Sequence, residues 1–197
     1  TVAIGAAGLV GSLVTSVSAL RSTAMDERQR ALDVPIRPAA TVMLLREGTS
    51  GPEVFLLQRT HAATFARGQY VFPGGRVDDT DHAADFEPVC DGLDDAGASA
   101  LLGLESGGLA WLVATIRECF EEAGVLLAGH RGGDVIRFDD PDVATRFTAA
   151  RHEIHDGSAS LVELCVSNDL LLMTDRLRYI AHWLTPVGER RRFDTRF

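Results

Sequence analysis

Three glutamates, Glu118, Glu121 and Glu122, stand close together in the second half of the chain. Residues 110–124, AWLVATIRECFEEAG, have the apolar spacing of an amphipathic helix and end in glycine, which predicts a helix here. Because a helix turns by about 100° per residue, Glu121 and Glu122 project about 60° and about 40° to either side of Glu118. Carboxylates grouped in this way suit a hard divalent cation, Mg²⁺ or Mn²⁺. A solvated acidic face is the alternative on these residues alone.

Arg117 immediately precedes this cluster and affects the electrostatic repulsion among its three carboxylates. Like charges three or four residues apart on a helix repel one another, and Arg117 can offset part of that by pairing with Glu121 at i+4. A purely structural helix would usually alternate its charges. A bound divalent cation would offset the remaining repulsion.

Two adjacent glycines, Gly74 and Gly75, follow a short strand predicted over residues 69–72. Glycine permits close approach of the backbone to other groups. Such a bend can bring a carbonyl to a metal or amides to a phosphate. A plain turn explains the two glycines equally well when they are taken alone.

Taken together, the diglycine bend and residues 117–125, RECFEEAGV, resemble the Nudix box. That motif consists of a glycine, five residues, a glutamate, seven residues and then REuxEExGu, where u is an aliphatic residue. The matching positions are Gly75, Arg117, Glu118, Glu121, Glu122, Gly124 and Val125. Asp81 stands where the first glutamate is usual, 35 residues rather than seven separate it from Arg117, and Cys119 occupies an aliphatic site.

The resemblance implies a Nudix hydrolase with an α/β fold, an α/β/α sandwich around a mixed sheet. In such a protein the three glutamates, with the Gly74 carbonyl as a further ligand, hold Mg²⁺ or Mn²⁺, while Arg117 orients a glutamate. Gly75 belongs to the substrate-binding bend, and Asp81 is at best a peripheral supporting residue. The implied reaction is attack of water on one phosphorus of a nucleoside diphosphate derivative. No general base is evident.

The long interruption of the box is similar to that of the coenzyme A diphosphatase-like branch of the superfamily. LLQRTHAATFARGQYVFPGG (residues 56–75) is similar to the coenzyme A signature LLTxR(S/A)xxxRxxxGxxxFPGG, and residues 182–197 resemble the branch's WxTP…RRFDTRFF stretch. Arg59 matches and is the candidate for contact with substrate phosphate. Thr64, however, replaces the second arginine of the signature.

The resemblance leaves three functions open. Coenzyme A or acyl-coenzyme A is the expected substrate. The Thr64 departure keeps a sugar-nucleotide or dinucleotide pyrophosphatase in view, because arginine forks grip phosphates bidentately. The third hypothesis is a catalytically silent Nudix-fold module that binds a nucleotide or a protein.

Composition limits the partners. The 197 residues carry a net charge of −9, which gives no electrostatic footprint for nucleic acid. Three scattered cysteines predict reduced thiols and a cytoplasmic protein. Residues 1–20 are uncharged, but their glycine, serine and alanine content argues against a membrane segment. A homodimer stays open.

Along the chain, we expect an N-terminal extension over residues 1–34 and a Nudix domain over 35–197 whose C-terminal part is missing. Within that domain, residues 39–47 and 53–60 predict a hairpin of two buried strands. Residues 78–108 are interpreted as a long acidic loop, and about 79–109 as an insertion. Helices are predicted over 142–155 and 159–167, and strands over 178–184 and the final RRFDTRF.

Overall fold

A computed structural model describes Met25 and residues 32–60, 68–82 and 84–197. The predictions for residues 1–20 and the position of Thr64 lie outside these ranges. The described part divides between two compact units. Of the described residues, those within Arg37–Trp183 and Asp194–Phe197 belong to the larger unit, and Leu184–Phe193 with those before Arg37 belong to the smaller one.

In the described part of the chain, short strands form four sheets. One has the order β10-β11-β1-β6, one the order β7-β9-β8, and β2-β3 and β4-β5 are two-stranded. The β1–β6 pair is antiparallel, whereas β9 pairs in parallel with β7 and antiparallel with β8. The expected mixed α/β architecture is therefore confirmed. The strands are β1 (Ile36–Thr41), β2 (Leu45–Gly48), β3 (Gly51–Val54), β4 (Leu57–Gln58), β5 (Tyr70–Val71), β6 (Gly74–Arg76), β7 (Cys90–Asp91), β8 (Ala128–Gly129), β9 (Leu171–Met173), β10 (His182–Leu184) and β11 (Arg192–Arg196).

The hairpin expected from residues 39–60 differs from the one observed. The apolar run 39–47 is split between β1 and β2, because residues 42–44 belong to neither strand. The antiparallel hairpin is β2–β3. Its strands are largely exposed, with Leu45 at 63%. The prediction of two buried strands is therefore wrong, since only Ala39, Ala40 and Val42 of residues 39–60 are buried.

The prediction of a long acidic loop over residues 78–108 is also wrong. The segment forms 3₁₀ turns at Asp79–His82 and Ala84–Val89, strand β7, and helix α1 (Asp95–Leu102). Asp94 caps α1 by accepting from the Gly97 N–H, and Gly103 ends it in the left-handed conformation. Phe86, Val89 and Leu102 lie in the main core. Apolar residues spread thinly among the acids thus anchor the segment.

Helix α2 (Gly108–Ala123) is the predicted glutamate helix, and it ends at Gly124 as expected. It packs against α1, β6, the 3₁₀ turn at Asp79–His82, and helix α3 (Pro141–Asp156). Ala40, Ala110 and Ala114 are buried together where α2 crosses the sheet. Side chains this small let the helix lie close to the strand backbone, which positions its polar side next to the diglycine bend.

The first turn of α2 is capped from another part of the chain. Gly107, at the N-cap, has no side chain to accept hydrogen bonds. The Asp95 carboxylate accepts instead from the Gly107 and Leu109 N–H groups, at 2.9 and 3.0 Å. These two bonds hold the pKa of Asp95 below its usual value. Helix α1 therefore fixes where α2 begins.

Two further helices complete the larger unit, α3 (Pro141–Asp156) and α4 (Leu161–Ser167), close to the predicted bounds. The sequence did not predict strand β9. Of the strand predicted over residues 178–184, only β10 is observed. In the smaller unit, Thr185 and Phe193 are joined by two hydrogen bonds of 3.0 Å. Among the described residues, no helix is long and apolar enough to cross a bilayer.

Candidate active site

The three glutamates project into the space between α2 and β6, and they are mostly buried. The Glu118 and Glu121 side chains are 13% and 9% exposed. The Arg117 Nη1 group donates to Glu118 Oε1 at 3.0 Å and to Glu121 Oε1 at 2.9 Å. The expected i,i+4 ion pair therefore forms, and a single nitrogen bridges the two carboxylates.

Asp81 holds Arg117 in this position. Its carboxylate accepts from Arg117 Nε and Nη2 at 2.8 and 2.9 Å, a bidentate pair, and its side chain is 1% exposed. Arg117 Nη2 also donates to the Arg76 carbonyl. Although burial opposes the charged guanidinium, the hydrogen bonds to Asp81 raise the pKa of Arg117 above its ordinary value. The expectation of a peripheral Asp81 is corrected, because this acid is the buried anchor of the arginine.

The diglycine bend contacts the same glutamates. The Gly74 N–H donates to Glu122 Oε2 at 2.9 Å. A side chain on Gly75 would collide with the Glu118 carboxylate. One on Gly74 would instead collide with backbone, 2.5 Å from the Ala40 carbonyl oxygen and 2.8 Å from Thr41 Cα. The structure thus brings Gly74 next to Glu122 and Gly75 next to Glu118, while Glu121 joins the cluster through Arg117.

Alanine substitutions at Gly74 and Gly75 are expected to differ in effect, the first acting mainly on stability and the second mainly on activity. Gly74→Ala should destabilise the protein by about 1–3 kcal/mol, because backbone atoms cannot move aside cheaply. Gly75→Ala should cost less stability, because the flexible Glu118 side chain can swing away, but it should lower hydrolytic activity at least tenfold. Urea unfolding and steady-state rates of both variants measure this. Equal stability losses, or full activity in Gly75→Ala, would contradict it.

Burial raises the pKa of Glu118 to about 7, and repulsion from Glu121 and Glu122 adds to the effect, while Arg117 opposes it. A carboxyl whose pKa is higher in the folded than in the unfolded protein binds more protons when folded. Its contribution to stability is therefore present at low pH and is lost as the pH rises from about 4.5 to about 7.

This shift predicts how stability depends on pH in the absence of divalent ions. In EDTA, the free energy of unfolding should fall by roughly 3 kcal/mol between pH 4.5 and 7 through Glu118 alone, at about 1.4 kcal/mol per pKa unit. Glu118→Gln removes this titration and should flatten the profile by that amount. Urea unfolding of both proteins across this range is the measurement, and identical slopes would refute the assignment.

Two residues of α3 reach the end of α2, and sequence reasoning missed both as parts of the site. Arg151 donates to the Glu121 and Glu122 carbonyls at 2.7 and 3.1 Å. These contacts place a positive charge at the C-terminus of α2, where the helix dipole makes it favourable. His155 Nδ1 lies 2.9 Å from Glu121 Oε2. The sequence offered no signal for either contact, because each joins residues about thirty positions apart.

Arg59, the candidate for phosphate contact, lies apart from this network. Its N–H donates to the Gln69 carbonyl, and its own carbonyl accepts from Gly68. Its Nε is buried without a hydrogen-bond partner in the described part of the chain. Across the same residues, no hydrogen bond or ion pair joins Arg59 to the glutamates.

The carboxylates provide the oxygen ligands that Mg²⁺ or Mn²⁺ prefers, and the absence of a side chain on Gly75 leaves room for the Glu118 carboxylate. As they stand, however, no three acidic, histidine or cysteine side chains of the described residues are grouped so that they could hold an ion. Arg117 occupies the position between Glu118 and Glu121. The residues fit a hard cation in type and location, and the arginine supplies positive charge there.

Comparison with known proteins finds similarity to Nudix hydrolases. No family model matches the chain. It is 26% identical to the acyl-coenzyme A diphosphatase NUDT19 of Xenopus laevis, over 82% of this chain and 50% of that protein, and 29% identical to the Homo sapiens protein of the same name, over 75% and 47%. The crystal structure of a Nudix hydrolase from Alicyclobacillus acidocaldarius superposes with a TM-score of 0.63 at 26% identity, covering 84% of this chain and 69% of the other.

The fold and the arginine-bridged glutamates beside a diglycine bend, together with these similarities, point to one class: the chain is similar to proteins of the Nudix hydrolase superfamily. Within that superfamily it is similar to the proteins named acyl-coenzyme A diphosphatase. The chain spans about half the length of those relatives, at 47–50%.

Proposed function

We propose that this chain hydrolyses the diphosphate bond of a nucleoside diphosphate derivative, with coenzyme A or acyl-coenzyme A as the first substrates to test. The observation that carries the proposal is a cluster of three glutamates beside the diglycine bend: Gly74 binds Glu122, Gly75 adjoins Glu118, and Arg117 bridges Glu118 and Glu121. The names of the relatives support the substrate class, because several are acyl-coenzyme A diphosphatases.

In the proposed mechanism, Glu118, Glu121 and Glu122 hold Mg²⁺ or Mn²⁺, with the Gly74 carbonyl as a further ligand. The cation, when bound, neutralises the diphosphate and lowers the pKa of the attacking water. Asp81 and the Arg76 carbonyl keep Arg117 in place, while its Nη1 releases its hydrogen bonds to the glutamate oxygens. The buried setting excludes bulk water and strengthens each charge interaction.

Arg59 is the proposed contact for a substrate phosphate. Its buried, unpartnered Nε is a guanidinium group that has not satisfied its hydrogen-bonding capacity within the described residues. An arginine in this state gains a hydrogen bond when an anionic oxygen arrives. The sequence match of Arg59 to the coenzyme A signature supports the same role.

A panel of nucleotides tests the proposal. Coenzyme A, an acyl-coenzyme A, NADH, ADP-ribose and a sugar nucleotide are incubated with the protein and Mg²⁺, and the products are identified by mass. We expect cleavage between the two phosphorus atoms, with the coenzyme A compounds cut fastest and EDTA abolishing the reaction. Faster cleavage of the sugar nucleotide would favour the second hypothesis. No cleavage of any compound would favour a silent binding module.

A further inference from the structure

Helix α3 is defined by strong local signals at both of its ends. Asp140 caps its start by accepting from the Asp142 and Val143 N–H groups. Pro141, the first residue of the helix, has a φ angle that suits the first turn, and Gly157 ends the helix in the left-handed conformation. With both ends fixed, α3 holds its side chains at regular angles around its axis.

One side of α3 carries two polar residues beside its buried ones. Phe147 and Ile154 are buried in the main core, which also contains Phe120 of α2. At about 100° per residue, Arg151 and His155 project from the same side of α3 as these two apolar side chains. The core contacts of α3 therefore fix Arg151 and His155 next to the C-terminal half of α2.

The Arg151 guanidinium supplies hydrogen-bond donors that the end of α2 lacks. The last carbonyls of a helix have no partners within the helix. The Gly124 N–H donates to the carbonyl of Phe120. Arg151 donates through Nε to the Glu121 carbonyl, at 2.7 Å, and through Nη2 to the Glu122 carbonyl, at 3.1 Å. A side chain of another helix thus secures the turn that carries two of the three glutamates.

Gly124 leaves the space that this guanidinium occupies. Its φ of 71° lies in the left-handed region, which residues with a side chain rarely adopt. A Cβ atom at this position would also lie only 3.1 Å from Arg151 Nη1. The glycine that ends α2 therefore permits both the turn of the chain and the approach of the arginine.

His155 contacts the carboxylate of one of these glutamates. Glu121 Oε1 accepts from Arg117 Nη1, and Glu121 Oε2 lies 2.9 Å from His155 Nδ1. Because an ionised carboxylate can only accept hydrogen bonds, the His155 Nδ1 is the donor in this contact. Helix α3 therefore contacts Glu121 twice, at its backbone through Arg151 and at its side chain through His155.

We propose that Arg151 is a positioning residue that orders the last turn of α2 and so prepares the Glu121 and Glu122 carboxylates for the divalent cation. The inference rests on the proposed function, because it concerns the ligands proposed there. Arg151 acts through the two backbone carbonyls. Without it, both glutamates would have to be immobilised when the cation binds, at a cost in conformational entropy.

A purely electrostatic role of Arg151 predicts the opposite effect on cation binding. If repulsion between the guanidinium and the cation were its main effect, removing the positive charge would strengthen binding. If Arg151 orders the turn, its removal weakens binding, by about tenfold for the loss of hydrogen bonds from a charged donor. The direction of the change therefore distinguishes the two roles.

The test titrates the protein with Mn²⁺ alone, using electron paramagnetic resonance to measure the free ion without substrate or turnover. We expect the Kd for Mn²⁺ to rise about tenfold in Arg151→Gln. Arg151→Lys keeps the charge but not the planar fork, so it should recover part of the affinity. Thermal unfolding confirms that each variant is folded at the temperature of the titration.

Arg146→Gln is the matched control, because it removes the same charge from the same helix. Arg146 is exposed, and its guanidinium lies over the Phe147 ring of α3. The Kd for Mn²⁺ should therefore be unchanged in this variant. An equal loss of affinity in Arg146→Gln and Arg151→Gln would overturn the positioning role.

Rates separate positioning from a general loss of structure. For the nucleotide that is cleaved fastest in the panel, the Mg²⁺ concentration that gives half the maximal rate should rise about tenfold in Arg151→Gln. The KM for the nucleotide, and kcat at saturating Mg²⁺, should stay close to the wild-type values, since bound Mg²⁺ orders the turn again. A fall in kcat that saturating Mg²⁺ does not restore would contradict the inference.

The outcomes distinguish this inference from the proposed function. Unchanged or tighter Mn²⁺ binding in Arg151→Gln would overturn the positioning role and leave the hydrolase proposal standing. If the wild type binds Mn²⁺ and Arg151→Gln binds it more weakly, but no nucleotide is cleaved, the hydrolase proposal fails and the positioning role stands. Failure of the wild type to bind Mn²⁺ would refute the proposed cation site and this inference with it.

Discussion

Glutamine at position 121 or 122 is expected to lower kcat for the substrate found in the panel by about a hundredfold to a thousandfold, equivalent to about 3–4 kcal/mol of transition-state stabilisation. The amide keeps the shape of the side chain but removes one of the anionic ligands proposed for the cation. The fold should survive in both variants, because the amide oxygen that replaces the carboxylate can still accept a hydrogen bond. At position 121 the donor is Arg117, and at position 122 it is the Gly74 N–H.

Rates at saturating Mg²⁺ and thermal unfolding together measure this effect. Glu105→Gln is the matched control, since Glu105 is an exposed acid between α1 and α2. It should leave both quantities unchanged. Wild-type turnover in Glu121→Gln and Glu122→Gln at saturating Mg²⁺ would remove the proposed metal site.

The second large effect concerns Asp81. Asp81→Asn leaves the buried Arg117 without its bidentate anion, so we expect a loss of about 3 kcal/mol of stability, the lower end of the range for broken buried ion pairs. For a chain of this size, that corresponds to a fall in Tm of roughly 6–12 °C. Activity should also fall at least tenfold, because Arg117 then moves with the glutamates it contacts.

The neighbouring acid gives the comparison for this variant. Asp79 lies in the same 3₁₀ turn but is exposed. Asp79→Asn should change neither Tm nor rate by a measurable amount. If Asp81→Asn matched Asp79→Asn in both respects, the anchoring role of Asp81 would be wrong.

The sequence predicted the glutamate helix to within two residues, because apolar spacing and a terminal glycine are local signals. It also predicted the Arg117–Glu121 pair, which needs only helix geometry. It did not predict the position of Asp81, because 35 residues separate it from Arg117 and only tertiary packing joins them. The contacts of Arg151 and His155 with α2 are non-local in the same way.

The error over residues 78–108 has a different cause. The numerous acids suggested a solvated loop, but capping signals for a helix were present in the sequence at Asp94 and Gly103. The exposed β2–β3 hairpin shows the converse error. Its apolar residues suggested burial, yet Leu45 and Val54 remain substantially exposed. In both segments, a prediction of burial from amino-acid composition alone was wrong.

The reliance of α2 on Asp95 limits how the chain could be shortened. A variant engineered to the uninterrupted seven-residue spacing would lose both the acceptor for the first-turn amides of α2 and the core contacts of Phe86. It would need a new capping residue inside α2 itself. The additional residues thus form a structural support for the glutamate helix, and changes in length are best tolerated away from Asp81 and α1.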